Sequence, residues 1–158
     1  MLLPIPHIPL LNLIKIICYP TDKSIAQPPL HLEAVMSNIL EQIDKAIGAH
    51  GAWKVKLKQN IDGTLSLIPA EVSVDNRCEF GKWLYSLTGA QTSDPYYKDV
   101  LALHKAFHNA AGDVVMKVMK GDKAGAEASI GLNGAYATAS SKLTAKMMEW
   151  KRASPHAA

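Results

Sequence analysis

Hydrophobic residues recur at every third or fourth position over most of the chain after residue 29, the spacing of an amphipathic helix with one buried face. The first stripe predicts a long helix from Leu30, and it consists of Leu32, Met36, Ile39, Ile43, Ala46, His50, Trp53 and Leu57. Turn residues in the segment 60–69, NIDGTLSLIP, end this helix. The next stretch, residues 70–74 (AEVSV), is predicted to be extended or irregular.

A short helix follows, with Asp75 or Asn76 as its predicted N-cap and Cys78 in its first turn. Its predicted buried side consists of Phe80, Trp83, Leu84 and Leu87. Residues 88–95 contain several turn formers and predict a loop. Ser93 or Asp94 is expected to cap the next helix, with Pro95 at the first helical position.

Two further long helices complete the pattern. The helix after Pro95 carries apolar or small residues at Tyr97, Leu101, Ala111, Val115 and Val118. The last helix is predicted to run from residue 122 to about residue 152, with a stripe at Ala124, Ala128, Leu132, Ala135, Ala139, Leu143, Lys146 or Met147, and Trp150. Glycines at positions 125, 131 and 134 weaken this helix in isolation. We expect its small residues to allow another helix or subunit to approach closely.

Three long helices and one short cysteine-bearing helix predict an all-α fold, an antiparallel four-helix bundle over residues 30–152. Residues 1–29 contain six prolines, at positions 4, 6, 9, 20, 28 and 29, which exclude a long regular helix there. We interpret them as an irregular extension, either a docking segment or an early start of the reading frame before Met36. Residues 153–158 form a polar tail.

Composition narrows the function classes. A chain of 158 residues with a net charge of +3 and no run of like charges is a single globular domain that does not imply a nucleic-acid partner. The apolar stretch from Leu10 to Cys18 is interrupted by polar residues and is too short to span a membrane. Two cysteines, Cys18 and Cys78, are too few for a disulfide framework and are typical of a reducing cytoplasm.

Histidines on predicted buried stripes are the strongest chemical signal. His104 and His108 are four residues apart, so on a helix they lie one turn above the other and can direct two imidazole nitrogens to one point. Taken alone, this pair is more typical of hydrogen-bonded core histidines than of metal ligands. His50 lies on a facing stripe, and Cys78 supplies a fourth potential ligand. Zinc in proteins is bound by four such ligands in a tetrahedron, so the sequence predicts a zinc site at His50, Cys78, His104 and His108.

The segment 77–89, RCEFGKWLYSLTG, resembles the Cys-x-Phe/Leu-Gly-x-Trp-Leu motif of the bacterial chemoreceptor zinc-binding domain. The upstream HGAW at residues 50–53 and the downstream LHKAFH at residues 103–108 match the rest of that family's pattern in order. The resemblance covers roughly residues 33–150. It implies a zinc site of three histidines and one cysteine in a helical bundle that usually forms a homodimer.

Family members are typically attached to a chemotaxis receptor or a diguanylate cyclase, and the chain has no room for either. The resemblance therefore implies a cytoplasmic, non-enzymatic zinc sensor that either acts in trans on such a partner or is a fragment of a larger protein, and that responds to zinc level or to hypochlorous acid through Cys78. Two alternatives remain open, namely a structural zinc in an adaptor or dimerisation bundle, and a metal-free bundle whose histidines are packing residues. A metalloenzyme is disfavoured because the chain lacks the HExxH motif and the paired carboxylates of di-iron bundles.

Overall fold

Every regular element of the described chain is a helix. The computed structural model describes residues 30–154, with side chains from residue 38 onwards; the predicted extension, residues 1–29, and residues 155–158 of the predicted tail lie outside them. The helices are α1 (Leu30–Asp62), α2 (Pro69–Val72), α3 (Glu79–Ser86), α4 (Ala90–Ser93), α5 (Pro95–Met119), α6 (Lys123–Ile130) and α7 (Ala135–Ala153). The all-α fold class is thus confirmed, and the four predicted helices correspond to α1, α3, α5 and the break-divided pair α6 and α7.

Helix α1 follows the predicted hydrophobic stripe closely. Of the stripe residues, Ile39, Ile43, Ala46, His50 and Leu57 are buried, whereas Trp53 is half-buried. The side chains of Leu32 and Met36 lie outside the described residues. The helix ends in the predicted turn region, where Gly63 adopts a left-handed conformation with φ of 80°.

Helix α5 occupies the centre of the fold and contacts α1, α2, α3, α4, α6 and α7. It begins as predicted, with Pro95 in the first turn and the Asp94 carboxylate accepting a hydrogen bond of 2.8 Å from the Tyr96 N–H. Because neighbours surround it, its buried face is wider than one stripe. The face comprises Tyr97, Val100, His104, Phe107, His108, Ala111, Gly112, Val114 and Val115.

Residues 70–72 of the segment predicted to be extended or irregular are helical instead, so the prediction was wrong for them and holds only for residues 73 and 74. Pro69 begins the single turn of α2, because its ring fixes φ at a helical value. The turn lies against α5, where Val72 is buried. Packing on a neighbouring helix therefore overrides the weak helical propensity of a valine-rich stretch. The predicted loop at 88–95 likewise contains one helical turn, α4.

The prediction of one continuous last helix was also wrong. The chain breaks between α6 and α7, where Asn133 has φ of 62° and Gly134 caps α7. A Cβ atom on Gly134 would lie 2.2 Å from the carbonyl oxygens of Ala128 and Ser129, so this glycine permits the tight turn. The break changes which residues face inward: Leu132 is 94% exposed, whereas the later stripe residues Leu143, Met147 and Trp150 are buried.

The three glycines of this region serve turns and helix ends. Gly131 ends α6, Gly134 begins α7, and the Gly125 N–H donates a 2.8 Å hydrogen bond to the capping carboxylate of Asp122. The close approach of another helix or subunit to the small residues of this region stays a prediction. None of the helices described here is long and apolar enough to cross a membrane.

Candidate metal centre

Three of the four predicted ligands meet in the interior between α1 and α5. His50 on α1 is 3% exposed, and His104 and His108 on α5 are 0% and 2% exposed. One ring nitrogen of each histidine lies within 4.8 Å of those of the other two. Two nitrogens bound to one tetrahedral zinc ion lie about 3.4 Å apart, so the three rings are spaced on the scale of a single coordination sphere.

Backbone carbonyl groups fix the orientation of two of the rings. The Nδ1 atom of His50 is 2.7 Å from the carbonyl oxygen of Ala46, and Nδ1 of His108 is 2.7 Å from the carbonyl oxygen of Val72. A carbonyl oxygen only accepts, so each Nδ1 carries the proton and donates it. Each Nε2 therefore has a free lone pair, which is the form in which histidine binds a metal.

His104 is held differently. Its Nε2 lies 3.3 Å from the Sγ atom of Cys78, and its Nδ1 has no hydrogen-bond partner among the described residues. Nε2 of His50 and Nε2 of His108 are also buried without a partner. A buried polar atom with no partner costs about 1–3 kcal/mol, so the unpaired Nε2 atoms of His50 and His108 call for a ligand between these rings.

Cys78 lies at the edge of this cluster. It contacts His104, but the group of mutually close ligand atoms consists of His50, His104 and His108 without it. The sequence placed Cys78 in the first turn of the short helix; it is instead the N-cap of α3, where its Sγ accepts a 3.2 Å hydrogen bond from the Gly81 N–H. The predicted caps, Asp75 and Asn76, precede it. The thiol is half-buried and is the free cysteine of the described chain.

Burial sets the protonation states of the site. Desolvation lowers the pKa of His104 to about 3, helped by the neighbouring His108 and His50. Desolvation also lowers the pKa values of His50 and His108, although their backbone hydrogen bonds act in the opposite direction. All three rings are therefore neutral at pH 7, as metal binding requires. Burial raises the pKa of the Cys78 thiol, so the metal-free cysteine carries its proton at neutral pH.

Aromatic rings surround the histidines and separate them from solvent. Phe107 packs edge-on against His50 at 4.7 Å between ring centroids, and Phe80 packs against His104 at 5.3 Å. Trp83 stacks on Phe80 at 5.4 Å between ring centroids and so fills volume beside the site. These rings give the cluster a low-polarity environment, in which bonds to a metal ion are not weakened by competing water.

Two glycines allow the backbone to come close enough to build the site. A Cβ on Gly81 would lie 1.8 Å from the carbonyl oxygen of Asp75, so only glycine allows the backbone to pack this closely here. A Cβ on Gly112 would lie 1.9 Å from Oγ of Ser73, the residue after Val72. The sequence analysis missed Gly112 and the carbonyl groups of Ala46 and Val72. A signal for Gly112 was present, since a glycine inside a helix one turn after His108 costs about 1 kcal/mol relative to alanine.

The cluster fits a zinc ion on its own chemistry. The unpaired Nε2 atoms of His50 and His108 are lone-pair donors, the rings are neutral, and a thiol lies next to His104. Nitrogen and sulfur are the donors that zinc prefers in proteins. When bound there, zinc supplies the missing partner for the buried nitrogens and links α1 to α5.

Comparison with known families agrees with this chemistry. No significant match is found among curated proteins or among solved structures. The family model described as the chemoreceptor zinc-binding domain matches residues 50–115, a range that contains all three clustered histidines and Cys78. Residues 50–115 are thus similar in sequence to the chemoreceptor zinc-binding domain family.

Proposed function

We propose that the chain is a regulatory zinc-binding module in which His50, Cys78, His104 and His108 together bind one Zn²⁺ ion. The observation that carries the proposal is the buried cluster of three histidines, in which one ring nitrogen of each lies within 4.8 Å of the others and Nε2 of His50 and of His108 has no hydrogen-bond partner. Cys78 completes the set because its sulfur lies 3.3 Å from Nε2 of His104. Zinc binding releases the thiol proton, since a sulfur bound to zinc is a thiolate.

Thiolate character makes Cys78 the reactive member of the set. Hypochlorous acid would oxidise the thiolate to a sulfenic acid and release chloride, with sulfur giving up two electrons and chlorine accepting them. The oxidised sulfur is a poorer metal ligand and also a poorer acceptor for the Gly81 N–H. The start of α3 would then shift, and a partner that contacts this helix would sense the change. A fall in zinc level would alter the same contact between α3 and the partner, because Cys78 would then no longer be bound to the metal.

The partner class comes from the family, whose members are attached to signalling domains. We propose a chemotaxis receptor or a diguanylate cyclase, contacted in trans in the cytoplasm by a homodimer of this chain. The match to a zinc-binding domain family supports a regulatory rather than a catalytic role. Co-purification with each partner class, with and without zinc, tests this part separately from metal binding.

Elemental analysis of the full-length chain tests the metal site. We expect about one zinc per chain in the wild type and a large loss in His104→Ala and Cys78→Ser, with His156→Ala, in the predicted tail, as the matched histidine control. Full zinc content in Cys78→Ser would refute the cysteine ligand, and zinc-free wild-type protein would refute the module. Full content in His104→Ala would refute the histidine cluster.

A purely structural zinc is the second candidate, favoured by the near-complete burial of the three histidines. Zinc content and helix content after one equivalent of hypochlorous acid separate the two. The sensor releases zinc and changes its circular dichroism once Cys78 is oxidised. An unchanged metal content and spectrum, with oxidation verified by mass, would establish the structural role.

A further inference from the structure

A cleft of about 430 Å³ lies between α1 and the start of α3, and it is lined by residues of the metal cluster and of the surface. Its wall on α1 includes Ala49, Ala52 and Lys56, and its wall on α3 includes Glu79. His50 and Cys78 also line it, whereas His104 and His108 do not. The cleft therefore approaches the histidine cluster from the side on which Cys78 lies.

Burial changes along the lining in a consistent direction. Ala49, Ala52 and Lys56 are exposed, Cys78 is half-buried, and His50 is buried. The exposed residues form the mouth of the cleft, and the buried histidine lies at its floor. The cleft therefore opens the half-buried Cys78 to solvent, and the buried His50 lies behind its inner end.

We infer that this cleft is the path by which zinc enters and leaves, with Cys78 and His50 as the first ligands it meets. The inference rests on the proposed zinc site. His104 lies 3.3 Å beyond the Cys78 sulfur, so the ion passes from that sulfur to the inner histidines over a short distance. The position of Cys78 at the edge of the cluster is what this role requires, because a capturing ligand must be reachable from the mouth.

Charge on the cleft wall sets the rate of entry. Lys45 is paired with Glu41 at 2.6 Å, and Glu79 is paired with Lys82 at 2.9 Å. Lys56 lies 5.1 Å from the centre of the Trp53 ring and makes no ion pair within the described residues. Its uncompensated positive charge repels an incoming divalent cation, and salt screens this repulsion.

Filling the mouth tests the path. The variants Ala49→Phe and Ala52→Phe place a large ring in the cleft, and Ala102→Phe, exposed on α5 and away from it, is the matched control. Stopped-flow mixing of the full-length chain with zinc and a chelating dye gives the association and dissociation rates. A narrowed path slows both rates equally, by about fivefold or more, and leaves Kd within twofold of the wild type.

Lys56 provides an independent test in the opposite direction. Lys56→Gln should bind zinc about twofold faster than the wild type at low salt, and the difference should vanish at high salt. Lys105→Gln, exposed on α5 and outside the cleft, should change the rate less.

Wild-type rates in both cleft-filling variants, or equal slowing in Ala102→Phe, would overturn the path. An equal effect of Lys56→Gln and Lys105→Gln would also count against it. A wild-type chain that binds no zinc would instead refute the proposed function, before any rate is compared.

Discussion

Replacing Gly112 with alanine should weaken zinc binding while the bundle stays folded. The new Cβ would lie 1.9 Å from Oγ and 3.0 Å from Cβ of Ser73, which is closer than atoms can pack. Ser73 must move away from α5, and Val72, directly before it, moves with it. The Val72 carbonyl then loses its 2.7 Å contact with Nδ1 of His108, so the ring is no longer held with Nε2 toward the metal.

The magnitudes separate binding from stability. Alanine gains about 1 kcal/mol of helix propensity over glycine, whereas overpacking costs about 1–3 kcal/mol, so the free energy of unfolding changes by no more than about 2 kcal/mol. Losing an outer hydrogen bond to a metal-bound histidine typically reduces metal affinity 10–100-fold. Zinc affinity is therefore the sensitive measurement.

A competition titration against a chelating dye measures the affinity, and Gly48→Ala is the matched control. A Cβ on Gly48, also inside a helix, would meet nothing within 4 Å, so this variant should be stabilised by about 1 kcal/mol with unchanged zinc affinity. Adding Ser73→Ala to Gly112→Ala removes the closest clashing atom and should restore part of the affinity. Zinc affinity of Gly112→Ala within twofold of the wild type would refute the reasoning.

Three further predictions concern stability and are measured by denaturant unfolding. Gly81→Ala should destabilise the protein by about 1–3 kcal/mol, because its Cβ would lie 1.8 Å from the Asp75 carbonyl oxygen; an unchanged midpoint contradicts this. Metal-free protein should lose stability as pH falls from 6.5 toward 3, because over this range the His104 ring takes up a proton only in the unfolded chain. For His104 alone the loss is up to about 1.4 kcal/mol per pH unit. A free energy of unfolding that does not change with pH would argue against a buried neutral ring. Leu132→Lys should change stability by less than about 0.5 kcal/mol because the side chain is 94% exposed, and a large loss would mean that Leu132 is buried.

The helical fold and the histidine cluster could be predicted because both depend on local periodicity. His50, His104 and His108 lie at stripe positions, so the pattern that buries leucine also buries these rings. The N-cap of α5 was predictable for the same reason, since Asp94 and Pro95 act within one turn. Features that depend only on residues within one or two helical turns can therefore be read from the sequence alone.

Features that depend on contacts between distant segments could not be predicted. Helix α2 forms because Val72 packs against α5, and its carbonyl meets His108, which is 36 residues away. The break before α7 depends on the left-handed backbone conformation of one residue, Asn133, which the hydrophobic periodicity of the sequence does not reveal. Cys78 lies at the edge of the cluster because it is the residue directly before α3 and not part of the helix. The hydrophobic pattern does not locate the start of a helix to within a few residues, so this position could not be predicted.

The sulfur that caps α3 is coupled through that helix to the end of the described chain. Trp83 on α3 lies 5.9 Å from Trp150 on α7, measured between ring centroids. A change in the start of α3 alters this contact and the surroundings of both indole rings. The protein therefore contains its own fluorescent reporter, and we expect tryptophan emission to follow the chemical state of Cys78 in real time without an attached dye.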